Sequence, residues 1–407
     1  MTARGLGRRG LLAGMALPVA ASTGGAPLAV PQWTREQGVD VLDAPYGKPS
    51  VFERKVVRRP RGVPPMPTAA SANTPLQDLH GIIVPNGLHY IRDHAGTPAI
   101  DPDLHRLVVH GAVERPMLFT MDDILRFPSV SEIHFLECSG NTPLYQSALV
   151  DPAWTVQDTH GLLSCAEWTG VPLAAVLAEA GVTRGATWML AEGADGAAMT
   201  RSIPLDIVLD RAILAYAQNG ERLRPEQGYP LRLLLPGLEG NTNVKWLRRL
   251  KLADGPFETR EETSKYTGLL PDGTARQFVF VMEVKSVITH PSPGPTPVQP
   301  GFHELSGLAW SGNGRIRRVE VSTDGGLRWQ DAVLQAPILP QCLTRFRLPW
   351  TWDGTPSHLL SRATDDTGAV QPTREVLIAA RGTNADYHFN AIHAWQVDAG
   401  GKVRLAL

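Results

Sequence analysis

The sequence predicts an α+β protein in which a first domain of mixed helices and strands is followed by a β-sandwich. The chain has 407 residues, more than the ~250–300 at which a single core stops growing, so two domains are expected. Its 39 Gly, 34 Pro and 19% charged residues suit a loop-rich and strand-rich protein. Short apolar runs alternate with helix-like segments in the earlier part, and strand–turn–strand patterns fill the later part.

Residues 1–30 are predicted to be a twin-arginine export signal. Arg8 and Arg9 precede a short apolar run that is followed by small residues. That run is too short, and too interrupted by Pro18, to cross a bilayer as a helix of ~20 residues. We therefore expect a periplasmic protein without a membrane span. The alternative is an unstructured N-terminus that happens to contain paired arginines.

Residues 31–80 are rich in Pro, Arg and Ala without sustained periodicity, which predicts an extended N-terminal arm. A catalytic domain is expected over residues 81–275, with strands at 105–110 and 231–235. A helix should begin near Pro172, since apolar side chains recur at helical spacing until Gly181 supplies a stop. A second helix is expected at 205–210, again after a proline.

Residues 276–407 are predicted to form an immunoglobulin-like sandwich. The sequence predicts a strand at 315–322, a tight turn at 323–326 and another strand at 327–330. Further strands are expected at 345–349 and 359–363. The run 290–297 alternates proline with other residues and can sustain neither a helix nor a central strand, so it is expected to be a domain-edge connection.

Charge and cysteine content exclude several classes of function. The net charge of −1, from 39 basic and 40 acidic residues, provides no general field for nucleic acid or anionic membranes. Cys138, Cys165 and Cys342 form no C-x-x-C pair, no zinc-like cluster and no C-x-x-C-H haem motif. We expect no haem in this chain, so redox chemistry would need another cofactor.

Cys138 ends an apolar, strand-like run and enters a Ser-Gly-Asn turn at 139–141. A thiolate is a strong ligand for soft metals, although an isolated Cys is often only a small buried hydrophobe. That second interpretation is the expectation for Cys165 and Cys342. Four other segments accompany Cys138 along the chain: Tyr-Ile-Arg-Asp-His at 90–94, Trp-Thr-Gly-Val-Pro-Leu at 168–173, Gly-Tyr-Pro-Leu-Arg at 228–232 and Gly-Asn-Thr-Asn-Val-Lys-Trp at 240–246.

In this order the segments resemble the sulfite oxidase family of molybdopterin enzymes, from about Gly81 to the C-terminus. The resemblance implies a molybdenum–molybdopterin cofactor, with Cys138 as the sole protein ligand to the metal and Arg92 and Tyr266 as catalytic residues. A buried pterin phosphate needs cations and backbone donors. By resemblance, the residues that bind the cofactor are Tyr90, Ile91, Arg92, Asp93, His94, Asp195, Gln227, Arg232, Asn243, Val244 and Lys245.

Several of these residues have ordinary alternatives. Arg232 could be a surface charge, Asp195 a turn residue, His94 a solvated loop histidine and Tyr266 a packed loop aromatic. The family often has His at the position of Gln227, so a phosphate contact there would be neutral in this chain.

The family oxidises sulfur by two electrons, with oxygen that comes from water. Members that act on sulfite carry an arginine five residues after the cysteine ligand, where this chain has Pro143. Residues 80–90 and 269–277 are closer to the molybdenum subunit of the Sox thiosulfate-oxidising system. This implies oxidation of sulfane sulfur on a sulfur-carrier protein, a cytochrome c as electron acceptor, and a homodimer formed through the C-terminal domain.

Three other interpretations remain open at this point. One is a periplasmic sulfite dehydrogenase that oxidises free sulfite to sulfate. Another is a hydrolase with Cys138 as nucleophile and His134 or His160 as base. The third is a non-catalytic immunoglobulin-like binding module.

Overall fold

The structure is a computed structural model that describes residues 31–37, 49–60, 68–145, 150–384 and 387–406. The predicted export signal at 1–30 lies outside the described residues. The chain divides into two units, Met1–Arg54 and Lys55–Leu407. In the first unit the described residues include two exposed 3-10 turns, Gln32–Thr34 and Val51–Glu53. Both predicted domains lie in the second unit.

In the part of the first domain that the structure describes, short strands accompany five short α-helices. Its strands are β1 (Arg59–Pro60), β2 (Ser71–Asn73), β3 (Ile91–Arg92), β4 (Leu107–Gly111), β5 (Met117–Phe119), β6 (Val130–Glu137), β7 (Leu163–Pro172), β8 (Trp188–Gly193), β9 (Thr200–Pro204), β10 (Ile213–Gln218), β11 (Glu221–Arg222), β12 (Arg232–Leu234), β13 (Leu247–Ala253), β14 (Gly268–Leu269) and β15 (Ala275–Arg276). Its helices are α1 (Met121–Leu125), α2 (Val156–His160), α3 (Leu173–Ala180), α4 (Leu205–Arg211) and α5 (Arg260–Thr263).

Two five-stranded sheets organise this domain. One has the order β11-β10-β7-β6, with β12 also paired to β10, and the other has the order β5-β4-β13-β8-β9. All of their pairings are antiparallel except that of β13 with β4. In a smaller sheet, β1-β2-β3, residues 91–92 pair with residues 71–72 of β2. The antiparallel register of β6 on β7 ends at Glu137↔Leu163, which places Cys138 directly beyond the sheet edge.

The two helices predicted after prolines are confirmed. Helix α3 begins after Pro172 and ends at Gly181, whose φ of 71° is the left-handed conformation that glycine tolerates best. Its apolar stripe is buried in the core of the first domain, together with residues of β4, β8 and β13. Helix α4 follows Pro204 in the same way.

The second domain is a β-sandwich, as predicted. Its elements are β16 (Lys285–His290), β17 (Gly301–Trp310), β18 (Ile316–Ser322), β19 (Gln330–Asp331), β20 (Val333–Gln335), β21 (Thr344–Trp352), β22 (Ser357–Asp365), α6 (Arg374–Arg381), β23 (Ala394–Val397) and β24 (Val403–Ala406). The sheets β16-β17-β21-β20 and β19-β18-β22-β23-β24 enclose a core that includes Trp310, Phe346 and Trp395.

Two local predictions for this domain are wrong. Residues 327–329 form a loop rather than a strand, because side chains capture the backbone: Gly326 N donates to Ser322 Oγ (2.8 Å) and Arg328 N to Asp324 Oδ1 (2.9 Å). The proline-rich run after His290 is not a domain edge. It is a loop inside the sandwich that connects β16 to β17.

The core of the sandwich extends into the first domain. Phe135 and Leu163, on β6 and β7, belong to the same buried cluster as the sandwich residues Trp310 and Phe346. The thiols of Cys165 and Cys342 lie 3.3 Å apart in this shared core, buried as expected. The sheet that carries Cys138 at its edge is therefore packed against the β-sandwich. Among the described residues, no helix is long and apolar enough to cross a membrane.

Candidate active site

Cys138 is held by a hydrogen-bonded turn at the end of β6. Its backbone N donates to Leu162 O (3.0 Å), and Asn141 N donates to Cys138 O (2.9 Å). The Asn141 amide donates to Glu137 Oε1 (2.9 Å) and to His160 O (3.1 Å) and accepts from Leu162 N (3.2 Å). All of these groups except Cys138 are buried. The turn therefore fixes the backbone from which the partly exposed thiol projects.

Glu137 anchors this turn to the β-sandwich. Its carboxylate accepts from Lys285 Nζ (2.9 Å) and from Trp310 Nε1 (2.7 Å), while Lys285 also donates to Thr142 Oγ1 (2.7 Å). Burial lowers the pKa of Lys285, and the negative charge of Glu137 opposes that shift. A buried charge is costly unless it is paired, so this pair constrains the distance between β6 and the sandwich.

Cys138 opens into a cavity of about 680 Å³, called here the inner cleft. Twelve residues predicted from the sequence line it, namely Tyr90, Arg92, Asp93, His94, Cys138, Asp195, Gln227, Arg232, Asn243, Val244, Lys245 and Tyr266. Ile91 does not line the cleft, because it precedes Arg92 on β3 and successive side chains of a strand point to opposite faces. Residues separated by up to 176 positions in the sequence thus converge on one cavity, while their cofactor contacts stay a prediction.

Arg232 is a buried cation in this cleft. Its guanidinium donates to Gln227 O (2.9 Å) and Asn243 O (3.0 Å) and lies 4.9 Å from the centre of the Trp168 ring. Burial lowers its pKa to about 10, so it stays charged at neutral pH. Among the described residues it makes no ion pair, and its buried Nε has no partner. An anionic group in the cleft would satisfy it.

The positive charge of Lys245 is more fully balanced within the protein than that of Arg232. It pairs with Asp93, donates to Glu226 O (2.9 Å) and lies 4.5 Å from the centre of the Trp246 ring. Burial lowers its pKa, and Asp93 opposes the shift. The two cations therefore differ: Lys245 is balanced by a carboxylate within the protein, whereas Arg232 retains its charge for a ligand.

Two glycines keep the walls of the cleft open. A Cβ on Gly240 would lie 2.8 Å from Tyr90 Oη, 3.0 Å from Glu137 O and 3.3 Å from Cys138 Cα. Gly228 has a φ of 108°, and a Cβ there would lie 3.0 Å from that of Arg232. Any larger residue at either position would push on groups that line the cleft.

Tyr266 and His94 form a hydrogen-bonded pair beside Cys138. Tyr266 Oη lies 3.3 Å from His94 Nε2, and the Arg201 guanidinium is 5.4 Å from the centre of the tyrosine ring. Burial, followed by the charge on Cys138, raises the pKa of Tyr266. Burial, followed by Arg92, lowers the pKa of His94 to about 4. At neutral pH the tyrosine is therefore protonated and the histidine neutral.

A second cavity, of about 870 Å³, meets the inner cleft at Cys138 and is called here the outer cavity. The two share Arg92, His94, Cys138, Met199 and Tyr266. The outer cavity adds residues that the sequence interpretation missed: Ser71, Gly140, Leu162, Ala197, Arg260, Glu261, Lys265 and Tyr387. In the inner cleft the missed residues are His89, Leu136, Met199, Gly240, Asn241 and Trp246. Gly240, Asn241 and Trp246 lie within the quoted motif at 240–246 and could have been found there.

The histidines considered for a hydrolase lie away from both cavities. His134 Nε2 pairs with Glu132 Oε2 (2.8 Å) and lines a separate cleft with Arg211. His160 is buried, with its Nδ1 2.9 Å from Thr159 Oγ1 and its ring against His393. A cysteine nucleophile needs a base within hydrogen-bond reach, and neither histidine lines a cavity that Cys138 lines.

The donor set fits a metal whose other ligands come from a cofactor. Among the described residues, no group of three or more His, Cys, Asp and Glu is arranged to hold a metal ion. A single thiolate where the two cavities meet suits a metal already bound to a soft organic ligand such as a dithiolene. Arg232, with its unsatisfied Nε, suits the anionic end of that ligand.

Comparisons with known proteins agree with this geometry. The family described as "Oxidoreductase molybdopterin binding domain" matches residues 94–261, and the "Mo-co oxidoreductase dimerisation domain" matches residues 276–394. Mouse mitochondrial sulfite oxidase is 33% identical over 321 residues, which cover 72% of this chain and 58% of that protein. Chicken sulfite oxidase is 32% identical over 319 residues, 71% of this chain and 68% of that protein. The chain therefore spans less than two thirds of the mouse enzyme.

The crystal structure of the sulfane dehydrogenase SoxCD from Paracoccus pantotrophus is also similar. It matches with a TM-score of 0.88 and 45% identity, over 93% of this chain and 97% of that chain. The fold and the site together define a molybdopterin oxidoreductase. The chain belongs to the sulfite oxidase family.

Proposed function

We propose that the protein oxidises sulfane sulfur held on a carrier protein, with electrons passed to a cytochrome c. The observation that carries this proposal is the junction at Cys138, where a cleft with a buried, unpaired cation meets a separate cavity that a substrate can enter. The 45% identity to a sulfane dehydrogenase structure supports the choice of sulfur as the element oxidised.

Molybdenum bound to the pterin would supply two-electron oxidation and transfer of oxygen derived from water. Cys138 would hold the metal where the two cavities meet. Arg232 and Lys245 would hold the anionic end of the pterin. Arg92 and Tyr266 line both cavities, so the guanidinium and the phenol would orient the reacting sulfur and stabilise developing negative charge. Neutral His94 would accept from the Tyr266 hydroxyl and keep it in place.

An external electron acceptor is part of the proposal. The sequence contains no C-x-x-C-H haem motif, and two electrons must leave the metal after each oxidation. A c-type cytochrome takes electrons singly and suits this role. Rapid turnover against oxygen by the purified protein, with no effect of added cytochrome c, would contradict this part of the proposal.

We further infer export by the twin-arginine route and a homodimer formed through the C-terminal domain. The paired Arg8 and Arg9 support export, and the match of residues 276–394 to a dimerisation domain supports the dimer. Replacement of both arginines by lysine should abolish periplasmic accumulation. Undiminished periplasmic protein in that variant would contradict the inference.

A periplasmic sulfite dehydrogenase is the second candidate, favoured by the identity to sulfite oxidases. Pro143 argues against free sulfite as the main substrate, because proline carries no charge where members that act on sulfite have an arginine. Pro143 is half-buried and lines neither cavity. The loss of one charge-assisted contact should weaken capture of free sulfite by ~1.5–3 kcal/mol, or roughly ten- to a hundredfold. A carrier-bound substrate gains binding energy from remote protein contacts instead.

The test compares kcat/KM for sulfite with kcat/KM for a sulfur-loaded carrier protein, each with cytochrome c as acceptor. The proposal expects the carrier-bound substrate to be used more efficiently. Equal or better efficiency with free sulfite would make the protein a sulfite dehydrogenase. Molybdenum analysis of the same preparation would separate both candidates from the binding-module interpretation, which expects no metal.

A further inference from the structure

The outer cavity carries more positive than negative charge, and two of its cations come from a segment with no assigned role. The cavity is lined by Arg92, Arg260 and Lys265, with Glu261 as its acidic residue. His94 adds no charge at neutral pH, since its pKa lies at about 4. Arg260 is the first residue of helix α5, and Lys265 follows the end of that helix, directly before Tyr266.

Lys265 and Arg92 are poorly compensated within the protein. Among the described residues neither forms an ion pair with a carboxylate. Arg260 donates to Glu261 Oε1 (2.9 Å), but the other oxygen of that carboxylate already accepts from Thr200 Oγ1 (3.1 Å). The cavity therefore keeps an excess of positive charge for a ligand.

Helix α5 carries Arg260 and ends just before Lys265, and its first turn is held by hydrogen bonds. Its first turn has a capping box between Thr259 and Glu262, and Glu262 also accepts from Ser202 Oγ (3.0 Å) on β9. The charge of Arg260 reaches the reacting region, because it adds to the lowering of the His94 pKa after burial, Arg92 and Lys245. The positive charge of Arg260 therefore also attracts an anion that lies next to Cys138.

We propose that Arg260 and Lys265 bind the negatively charged, sulfur-bearing end of the substrate and supply the positive charge that position 143 lacks. The inference rests on the proposed function and names its substrate class: a sulfur compound with an anionic reacting end, such as sulfite, a persulfide or a thiosulfonate. The two cations would bind such an anionic group in the same way whether it belongs to a free ion or to a group on a carrier protein. Arg260 and Lys265 position the substrate and take no part in the redox step.

Equilibrium binding of sulfate to the molybdenum-loaded protein tests this directly, since sulfate is an unreactive sulfur oxyanion. The variant Arg260→Met/Lys265→Met should bind sulfate about four- to twenty-five-fold more weakly, from about two- to fivefold for each exposed cation. The matched control is Arg317→Met/Lys402→Met, which removes the same charges from exposed positions on the sandwich. Equal sulfate affinity in variant and control would overturn the proposal, as would no binding to the wild-type protein.

Steady-state kinetics give a second test. The variant should raise KM for sulfite by the same factor, leave kcat nearly unchanged and weaken the dependence of KM on ionic strength. A large loss of kcat with unchanged KM would contradict a binding role. If the wild-type protein oxidises no sulfur compound, while sulfate affinity still depends on these two residues, the proposed function fails and the anion site stands.

A sulfur-loaded carrier protein identifies the source of the anion. An increase in KM for sulfite but not for the carrier assigns the site to free ions. An increase for both assigns it to the terminal group that the two share. If neither KM changes, the proposal is wrong.

Discussion

Arg232 shows how a single residue can indicate that a cavity takes an anionic ligand. Its guanidinium is buried and donates to two backbone carbonyls, yet no carboxylate among the described residues balances its charge. Burial of an unpaired ion is expensive, and such a residue persists when a ligand supplies the opposite charge. The contrast with Lys245, which pairs with Asp93, marks Arg232 as the cation that a ligand must satisfy.

Replacement of Arg232 by Met should therefore weaken retention of the pterin. The loss of a hydrogen bond to a charged group corresponds to ~1.5–3 kcal/mol, or roughly ten- to a hundredfold in affinity. Pterin content per chain after extensive dialysis is the measurement. Arg232→Lys is the matched control and should retain an intermediate amount, because lysine keeps the charge but loses the planar fork. Full pterin content in the Met variant would contradict the assignment.

Motifs in the sequence predicted residues that lie together in one cavity, whereas residues that contribute only charge were missed. Twelve of the residues that line the inner cleft could be predicted, because each lies in a recognisable segment of the sequence. Arg260 and Lys265 were missed, since charged residues on loops and short helices are usually solvated. Ile91 was included only because its neighbours were, and the alternation of side chains along β3 places it on the face opposite to Arg92.

Among the secondary-structure elements, β6 is the strand that positions Cys138 and connects the first domain to the sandwich. Its register on β7 ends at Glu137, and the carboxylate of that residue joins β6 to the first strand of the sandwich through Lys285. The pair has almost no solvent exposure, with side-chain values of 3% and 0%. Desolvation makes such a pair costly to break, although its net contribution when intact can be small.

Lys285→Met should destabilise the protein by about 3–5 kcal/mol, because it leaves Glu137 charged and buried. The double variant Glu137→Gln/Lys285→Met should recover most of that loss. Urea unfolding of the wild-type protein, both single variants and the double variant measures the coupling. Additive effects of the two single substitutions would show that the ion pair does not join the domains.

Local signals explain which elements the sequence could predict. Helices α3 and α4 each follow a proline and have a clear apolar stripe, so both were found. The strand expected at 327–330 begins only at Gln330, because the side chains of Ser322 and Asp324 accept hydrogen bonds from backbone donors of the turn, which no periodicity reports. The proline-rich run was misplaced for another reason: prolines indicate a loop but not which elements it connects.

The packing of the whole molecule was beyond prediction from one sequence. The sandwich core includes Phe135 and Leu163 from the first domain, and Cys165 meets Cys342 across a separation of 177 residues. These contacts depend on how the two domains dock. Hydrophobic periodicity identifies which face of a strand is buried but not its partner in another domain.

Buried histidines make the stability of the whole molecule depend on pH. Burial lowers the pKa of His89 and of His393 from 6.5 to about 3, and that of His160 falls well below 6.5. His160 and His393 lie side by side, and the positive charge of Lys285 lowers both values further. The folded state keeps all three neutral, whereas the unfolded chain binds protons below pH 6.5.

Stability should therefore be complete above pH 6.5 and fall as the pH drops from 6.5 towards 3. Each histidine contributes a loss of about 1.4 kcal/mol per pH unit, so the three together cost about 4 kcal/mol at pH 5.5. Urea unfolding at pH 7.5 and 5.5 measures this. His393→Phe should reduce the loss by about 1.4 kcal/mol. Equal free energies of unfolding at the two pH values would contradict the burial of neutral histidines.

The central claim is that Cys138 binds molybdenum, and X-ray absorption at the molybdenum edge tests it most directly. In the wild-type protein the metal should show sulfur neighbours from both the pterin and a cysteine thiolate. Cys138→Ser should retain pterin through Arg232 but lose the thiolate contribution, together with the activity. Cys165→Ser, the same substitution at a buried thiol away from both cavities, should leave the spectrum unchanged. An unaltered spectrum in Cys138→Ser would contradict the account.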